Sequence, residues 1–106
     1  MVEYEIALSK RRGNSTVAAV VHNVCRGEGL ELQMKTSLKK YPGSTHWHFK
    51  RPTVPGIVEV TWWPGEAEHR VPRLWLSIHG NRKAAWMSEL MPRMKALIEK
   101  RLSVLS

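Results

Sequence analysis

The stretch Val58-Glu59-Val60-Thr61-Trp62-Trp63-Pro64-Gly65 alternates apolar and polar residues as far as Trp62 and ends in a Pro-Gly stop. Val58, Val60 and Trp62 fall on one side of an extended chain, and Glu59, Thr61 and Trp63 on the other. A period of two marks a strand with one buried face. Pro64-Gly65 then predicts a type II turn, because proline presets the second turn position and glycine accepts the positive φ of the third. The same punctuation recurs at Pro42-Gly43 and Pro55-Gly56. Alternating runs lie between these marks: Leu30, Leu32, Met34, Thr36 and Leu38; then Trp47 and Phe49; then Leu74, Leu76 and Ile78. Four such runs joined by turns predict an antiparallel meander with one face in the core.

Working outward, two helices flank the meander. Val17, Val20, Val21, Val24 and Cys25 follow the 3, 4, 7, 8 spacing of a single buried stripe. Asn14 or Ser15 is the expected N-cap, and Gly27 and Gly29 the stop. A second stripe, Met87, Leu90, Met91, Met94, Leu97, Ile98 and Leu102, predicts a helix beginning after Asn81. Pro92 lies inside it and predicts a kink. Val2 to Leu8 alternates and is expected to form an edge strand, with a short helix as the rival reading. The expected order is β-α-β-β-β-β-α: one α+β domain over residues 1–106, an antiparallel meander sheet with both helices packed on one face. The order helix, three strands, helix resembles that of the double-stranded RNA-binding domain. Arg82-Lys83-Ala84-Ala85 resembles the basic start of that domain's second helix. The likeness covers those four residues and the order of elements, and no site residue is carried over from it.

Composition narrows the function classes. The chain has 106 residues, enough for one core without disulfide or metal staples. A single cysteine, Cys25, excludes an internal disulfide framework and fits a reducing compartment, so a cytoplasmic location is expected. The start Met1-Val2-Glu3-Tyr4-Glu5 places acids where a secretory signal carries bases. No stretch is apolar enough for a membrane span. All nine acidic residues are glutamates, which removes chemistry built on aspartate. Lys and Arg outnumber acids 17 to 9, a net charge of +8 that favours anionic partners such as nucleic acid. The plainer reading of that charge is a basic, soluble surface.

If the apolar run faces the helices, the alternate residues form a second face that is not simply polar. It carries cations, histidines, Trp63 and Trp75. Three readings compete. The tryptophans stack on single-stranded bases while Lys35, Lys39, Lys50, Arg51, Arg70 and Arg73 follow phosphates. The face is instead a protein interface, most simply a homodimer. Or another segment, the N-terminal strand or the loop from 64 to 72, covers the rings. A hairpin register also makes Trp63 and Trp75 cross-strand neighbours. Arg82 and Lys83 are expected to open the last helix, where their charge opposes the dipole and an anion would relieve it. The expected function is therefore a non-enzymatic binding or assembly module, homodimeric, with nucleic acid as the favoured partner and no cofactor.

The alternative is a small metal- or ligand-dependent enzyme. His46-Trp47-His48 puts two imidazoles on one strand face, and a plain meander register sets His48, Glu59 and His79 in one row. Two or three imidazoles and a carboxylate are a zinc-type donor set. Against it stands the reading that these are half-exposed surface histidines. His22 and Cys25 also share a helix face, but a cysteine on an apolar stripe behaves as a small hydrophobe. No P-loop, G-x-G-x-x-G, G-x-S-x-G or C-x-x-C motif is present.

Overall fold

The computed structural model describes residues 2–9, 12–65, 71–80 and 83–104. Its elements are β1 (Val2–Glu5), α1 (Asn14–Gly27), β2 (Glu31–Leu38), β3 (Tyr41–Lys50), β4 (Val58–Trp63), β5 (Arg73–Ile78) and α2 (Met87–Val104). The five strands form one antiparallel sheet in the order β1-β5-β4-β3-β2. The chain is thus an α+β meander with β1 as an edge strand, as the alternation predicted; its partner is β5.

Burial explains the register. Trp47 and Phe49 from β3, Val58, Val60 and Trp62 from β4, and Leu74, Leu76 and Ile78 from β5 join one buried cluster. The helices supply the other half of that cluster through Val17, Val21, Met91, Met94 and Ile98. Both helices therefore lie on one face. A slip of one residue in any central strand would turn its apolar set outward, so the pattern specifies the pairing. No helix among the described residues is long and apolar enough to cross a membrane.

Several expectations need correction. The N-cap of α1 is Gly13, which makes no side-chain cap. Asn14 is used elsewhere: its Oδ1 accepts the Trp62 indole N–H at 2.8 Å. The far end of α1 closes as expected, with Leu30 N–H donating to the Cys25 carbonyl at 2.9 Å and Gly29 at φ +77°. α2 begins at Met87, not just after Asn81. Before it, Met87 and Ser88 close single turns on Ala84 and Ala85. Trp86 is tied away by its indole N–H to the Pro55 carbonyl at 3.0 Å and by Arg51 stacked 4.6 Å from its ring. Lys83 accordingly does not stand on the helix terminus, and Arg82 lies outside the described residues. Pro92 falls inside α2 on its exposed side.

The β2–β3 hairpin departs furthest from the simple pattern. Its turn is at Lys39 and Lys40, while Pro42 and Gly43 lie within β3, with Gly43 at φ +82°. Register shifts interrupt β2 between Leu32 and Met34 and again between Thr36 and Leu38. The first shift leaves one extra residue on β2 and exchanges the faces beyond it, and the second leaves three extra residues on β3. Leu32 thus pairs with Phe49 on the helix side, but Met34 and Thr36 pair with His48 and His46 on the other. The helices do not reach this edge: Leu32 is 46% and Met34 43% exposed. The expectation that β2 buries a full apolar row is overturned; only Leu30, just before the strand, is buried.

Candidate metal centre

The open face of the sheet carries a group of four ionisable residues at its middle. Antiparallel pairing places His48 opposite Glu59 and His46 opposite Thr61. Alternation along β3 points His46 and His48 the same way, and their rings meet with centroids 5.0 Å apart. Glu59 sits beside them on β4. Its Oε1 lies 3.0 Å from His46 Nε2 and 3.4 Å from His48 Nε2, and the two Nε2 atoms are 3.1 Å apart. Three donor atoms from two strands thus converge on one point. The expected row of His48, Glu59 and His79 is correct for its first pair. The residue opposite Glu59 on β5 is Ser77, and His79, just past the strand, reaches Glu59 diagonally. Its Nε2 lies 3.2 Å from the second carboxylate oxygen, Oε2.

The centre is buried in a way that surface histidines are not. His46 is 5% and Glu59 3% exposed, so a carboxylate has been withdrawn from water among imidazoles. Such a group persists only when it is paired and hydrogen-bonded. His79 forms the open side, with 43% of its side chain exposed. Burial holds His46 below the usual histidine range; the Glu59 charge opposes this, and His48 and His79 add to it. A second interaction fixes the His46 ring: its Nδ1 is 2.7 Å from the buried Thr61 hydroxyl. With a proton or an ion on Nε2, Nδ1 is free to exchange a hydrogen bond with that hydroxyl, which sets the ring's orientation. Thr61 was not singled out from the sequence, although its alternation with Glu59 placed it on this face.

One proton on His46 Nε2 satisfies either Glu59 Oε1 or His48 Nε2, but two imidazole nitrogens and a carboxylate oxygen all face the same point. A cation there satisfies all three at once. Bonds of about 2.0–2.2 Å to zinc imply edges of roughly 3.3–3.6 Å between tetrahedral ligands. The three observed edges, 3.0, 3.1 and 3.4 Å, approach one face of such a tetrahedron.

The aromatic residues of this face are not available as a platform. Trp63 and Trp75 are each 4% exposed. Among the described residues the start of β3 covers them. The Tyr41 ring sits 5.2 Å from Trp63 and 5.0 Å from Trp75, and the Trp63 indole N–H donates to the Pro42 carbonyl at 2.9 Å. Trp63 pairs directly with Arg73, not Trp75, whose partner is Thr61. The expected cations are dispersed. Arg73 lies over Trp75 at 4.2 Å and is held by Glu5 at 2.8 Å. Arg51 stacks on Trp86. Lys35 pairs with Trp47 and so faces the helix side, Lys39 is in the hairpin turn, and Lys50 ends β3. Lys83 is exposed before α2, while Arg70 and Arg82 lie outside the described residues.

The remaining candidate pair lies against the core. Cys25 is fully buried and its thiol is pushed up to about 12, chiefly by burial. His22 packs edge-on against Trp47 and Phe49. No protein-family model, curated protein or solved structure matches the chain, so the geometry alone must carry any functional reading.

Proposed function

We propose that this protein binds a divalent transition-metal ion, zinc above all, through His46, His48 and Glu59. The observation that carries the reading is the convergence of three donor atoms from β3 and β4 within 3.4 Å of one another. The donor set selects the metal. Two imidazole nitrogens and one carboxylate oxygen suit zinc, cobalt or nickel; magnesium and calcium want oxygen alone, and copper(I) wants sulfur. Three protein ligands leave a fourth position, which is the arrangement of zinc sites that act on bound water or substrate. When bound there, the ion would supply Lewis acidity and a more acidic water. His46 and Glu59 would hold it out of bulk solvent, and Thr61 would fix the first imidazole.

The test is equilibrium dialysis against zinc, with cobalt(II) as a spectroscopic substitute. One equivalent of zinc and intense tetrahedral cobalt absorption are expected. His46→Ala, His48→Ala and Glu59→Gln should each abolish or strongly weaken both signals while circular dichroism confirms the fold. Absence of stoichiometric binding by the native chain overturns the reading.

A further inference from the structure

The two edges of the sheet are unlike. β1 is four residues long, and the chain just beyond it is tied to α2 by the Ala7 N–H, which donates to Glu99 Oε2 at 2.7 Å. β2 is eight residues long and exposed from Glu31 to Ser37, and β3 is its one strand partner among the described residues. Beyond the bulge near Gln33 its regular stretch runs from Met34 to Leu38. The Leu38 N–H turns inward to the Ser44 hydroxyl at 3.0 Å. Alternation then turns the N–H and C=O groups of Lys35 and Ser37 outward, away from β3. A row of this kind is a template for another strand. Side chains add to it on both faces. Leu32 and Met34 are exposed, and on the helix side a notch of about 260 Å³ is lined by His22, Leu30, Leu32 and Phe49 with the charged Arg26 and Glu31. The charge of the edge is positive: Arg26, Lys35, Lys39 and Lys40 are all exposed. Glu31, the one acid of β2, lies opposite Lys50, and nearby Glu28 is held by Arg93 at 2.6 Å. Burial first, then the charges of Arg26 and Lys35, hold His22 below the usual histidine range, so both cations act on the notch.

We propose that β2 is a docking edge for an extended acidic segment of a partner protein, which adds to the sheet as a further strand. Hydrogen bonds to the main chain of Lys35 and Ser37 would supply affinity, and side chains would supply specificity. Acidic residues of the segment would meet Lys35 and the lysines of the hairpin turn, and an apolar residue beside Leu32 would enter the notch. Charge argues against a second copy as the occupant, because it would bring another +8 and another Lys35 to the same edge. A nucleic-acid strand would match the cations but carries no main-chain amides to pair with Lys35 and Ser37. The edge shares no residue with the metal centre, so either can fail without the other.

The probe is a fluorescein-labelled heptapeptide of alternating glutamate and valine, blocked at both ends and titrated by fluorescence anisotropy against the native chain. A lysine–valine counterpart, an N-methylated glutamate–valine peptide and a labelled oligothymidylate run in parallel. Saturable one-to-one binding of the acidic peptide is expected, weakening with salt, with the basic and N-methylated peptides far weaker. Lys35→Glu should lower the affinity roughly tenfold. Ser37→Pro, which removes an outward N–H and no bond to β3, should abolish binding. Circular dichroism and the thermal midpoint would establish that both variants are folded. Amide exchange locates the contact: the Lys35 and Ser37 amides should slow on adding the acidic peptide. Several outcomes would each overturn the proposal: no saturable binding of the acidic peptide, equal binding of the acidic and basic peptides, full binding of the N-methylated peptide, or unchanged affinity in Lys35→Glu. So would tighter binding of the oligothymidylate, or a concentration-dependent dimer of the chain alone that slows the same two amides.

Discussion

His79 Nε2 lies 3.2 Å from Glu59 Oε2, the carboxylate oxygen turned away from His46 and His48. One glutamate is thereby held from both sides, by two imidazoles on β3 and by a third just beyond β5. His79 does not join the group of mutually close donors, which consists of His46, His48 and Glu59. In the proposed metal site its role would be to orient the carboxylate. Outer-shell partners of this kind typically account for a factor of 10–100 in metal affinity. His79→Ala is therefore expected to weaken zinc by about that factor without abolishing binding, whereas His46→Ala should abolish it. Thr61→Val, which removes the hydroxyl beside His46 Nδ1, should weaken zinc by a similar factor. Competition titration with a chromogenic chelator measures both; equal losses for His79→Ala and His46→Ala would make His79 a ligand instead.

The hairpin cover makes a different prediction. Tyr41 is the contact shared by Trp63 and Trp75, and edge-to-face aromatic pairs contribute about 0.5–1.5 kcal/mol each beyond the area they bury. Tyr41→Ala should cost about 1–3 kcal/mol in urea unfolding. It should also shift tryptophan emission to the red and raise acrylamide quenching. Single-stranded oligonucleotide added at low salt tests the stacking reading on both proteins. Native emission should stay unchanged, since both rings are covered. Strong, salt-sensitive quenching of the native chain would show that the hairpin lifts and that the face binds bases.

Why some of this was legible in sequence and some was not follows from particular residues. Val58, Val60 and Trp62 and their partners on β3 and β5 had to share one face once the chain was extended, and the helical stripe starting at Val17 had to cover them. The His46, His48 and Glu59 group was legible for the same reason, because period-two alternation and one correct pairing bring it together. What failed depended on departures from regularity. The extra residue in β2 near Gln33 moved Met34 and Thr36 to the other face. Positive φ at Gly43 let β3 continue through a Pro-Gly pair that reads as a turn. That shift of the turn to Lys39 and Lys40 is what brings Tyr41 over the tryptophans. The α2 start was misplaced because contacts remote in sequence, Trp86 to Pro55 and Arg51 to Trp86, override local helix signals.

Gly56 is a position where no side chain fits. Its φ is +117°, and a Cβ there would meet Met87 Cε at 2.8 Å and Ala84 Cβ at 3.0 Å. The methionine end can move, but the strained backbone and the alanine remain. Gly56→Ala should destabilise by about 2–4 kcal/mol, combining overpacking with backbone strain. Gly13→Ala, where a Cβ meets nothing within 4 Å, is the control and should change stability by less than about 1 kcal/mol. Chemical denaturation of the two variants decides; equal midpoints would show that the loop from Pro55 relaxes freely against α2.

Cys25 gives the pH prediction. Burial, with a smaller contribution from Glu28, raises its thiol from an ordinary value of 9.0 to about 12. Below pH 9 both the folded and the unfolded chain keep the proton, so Cys25 contributes no slope. Between pH 9 and 12 the unfolded chain loses the proton while the folded chain retains it. The unfolded state then binds fewer protons, and stability must fall as pH rises through that window. Cys25→Ala removes the ionisation, at the expense of a small cavity in α1's buried stripe. Its stability should be lower than native at pH 8 but decline less steeply between pH 9 and 11. At pH 8 the native thiol should react with Ellman's reagent only at the rate of opening, and much faster in urea. Rapid labelling of the folded chain at pH 8 would mean that the α1 stripe opens readily and that the thiol is not held neutral by burial.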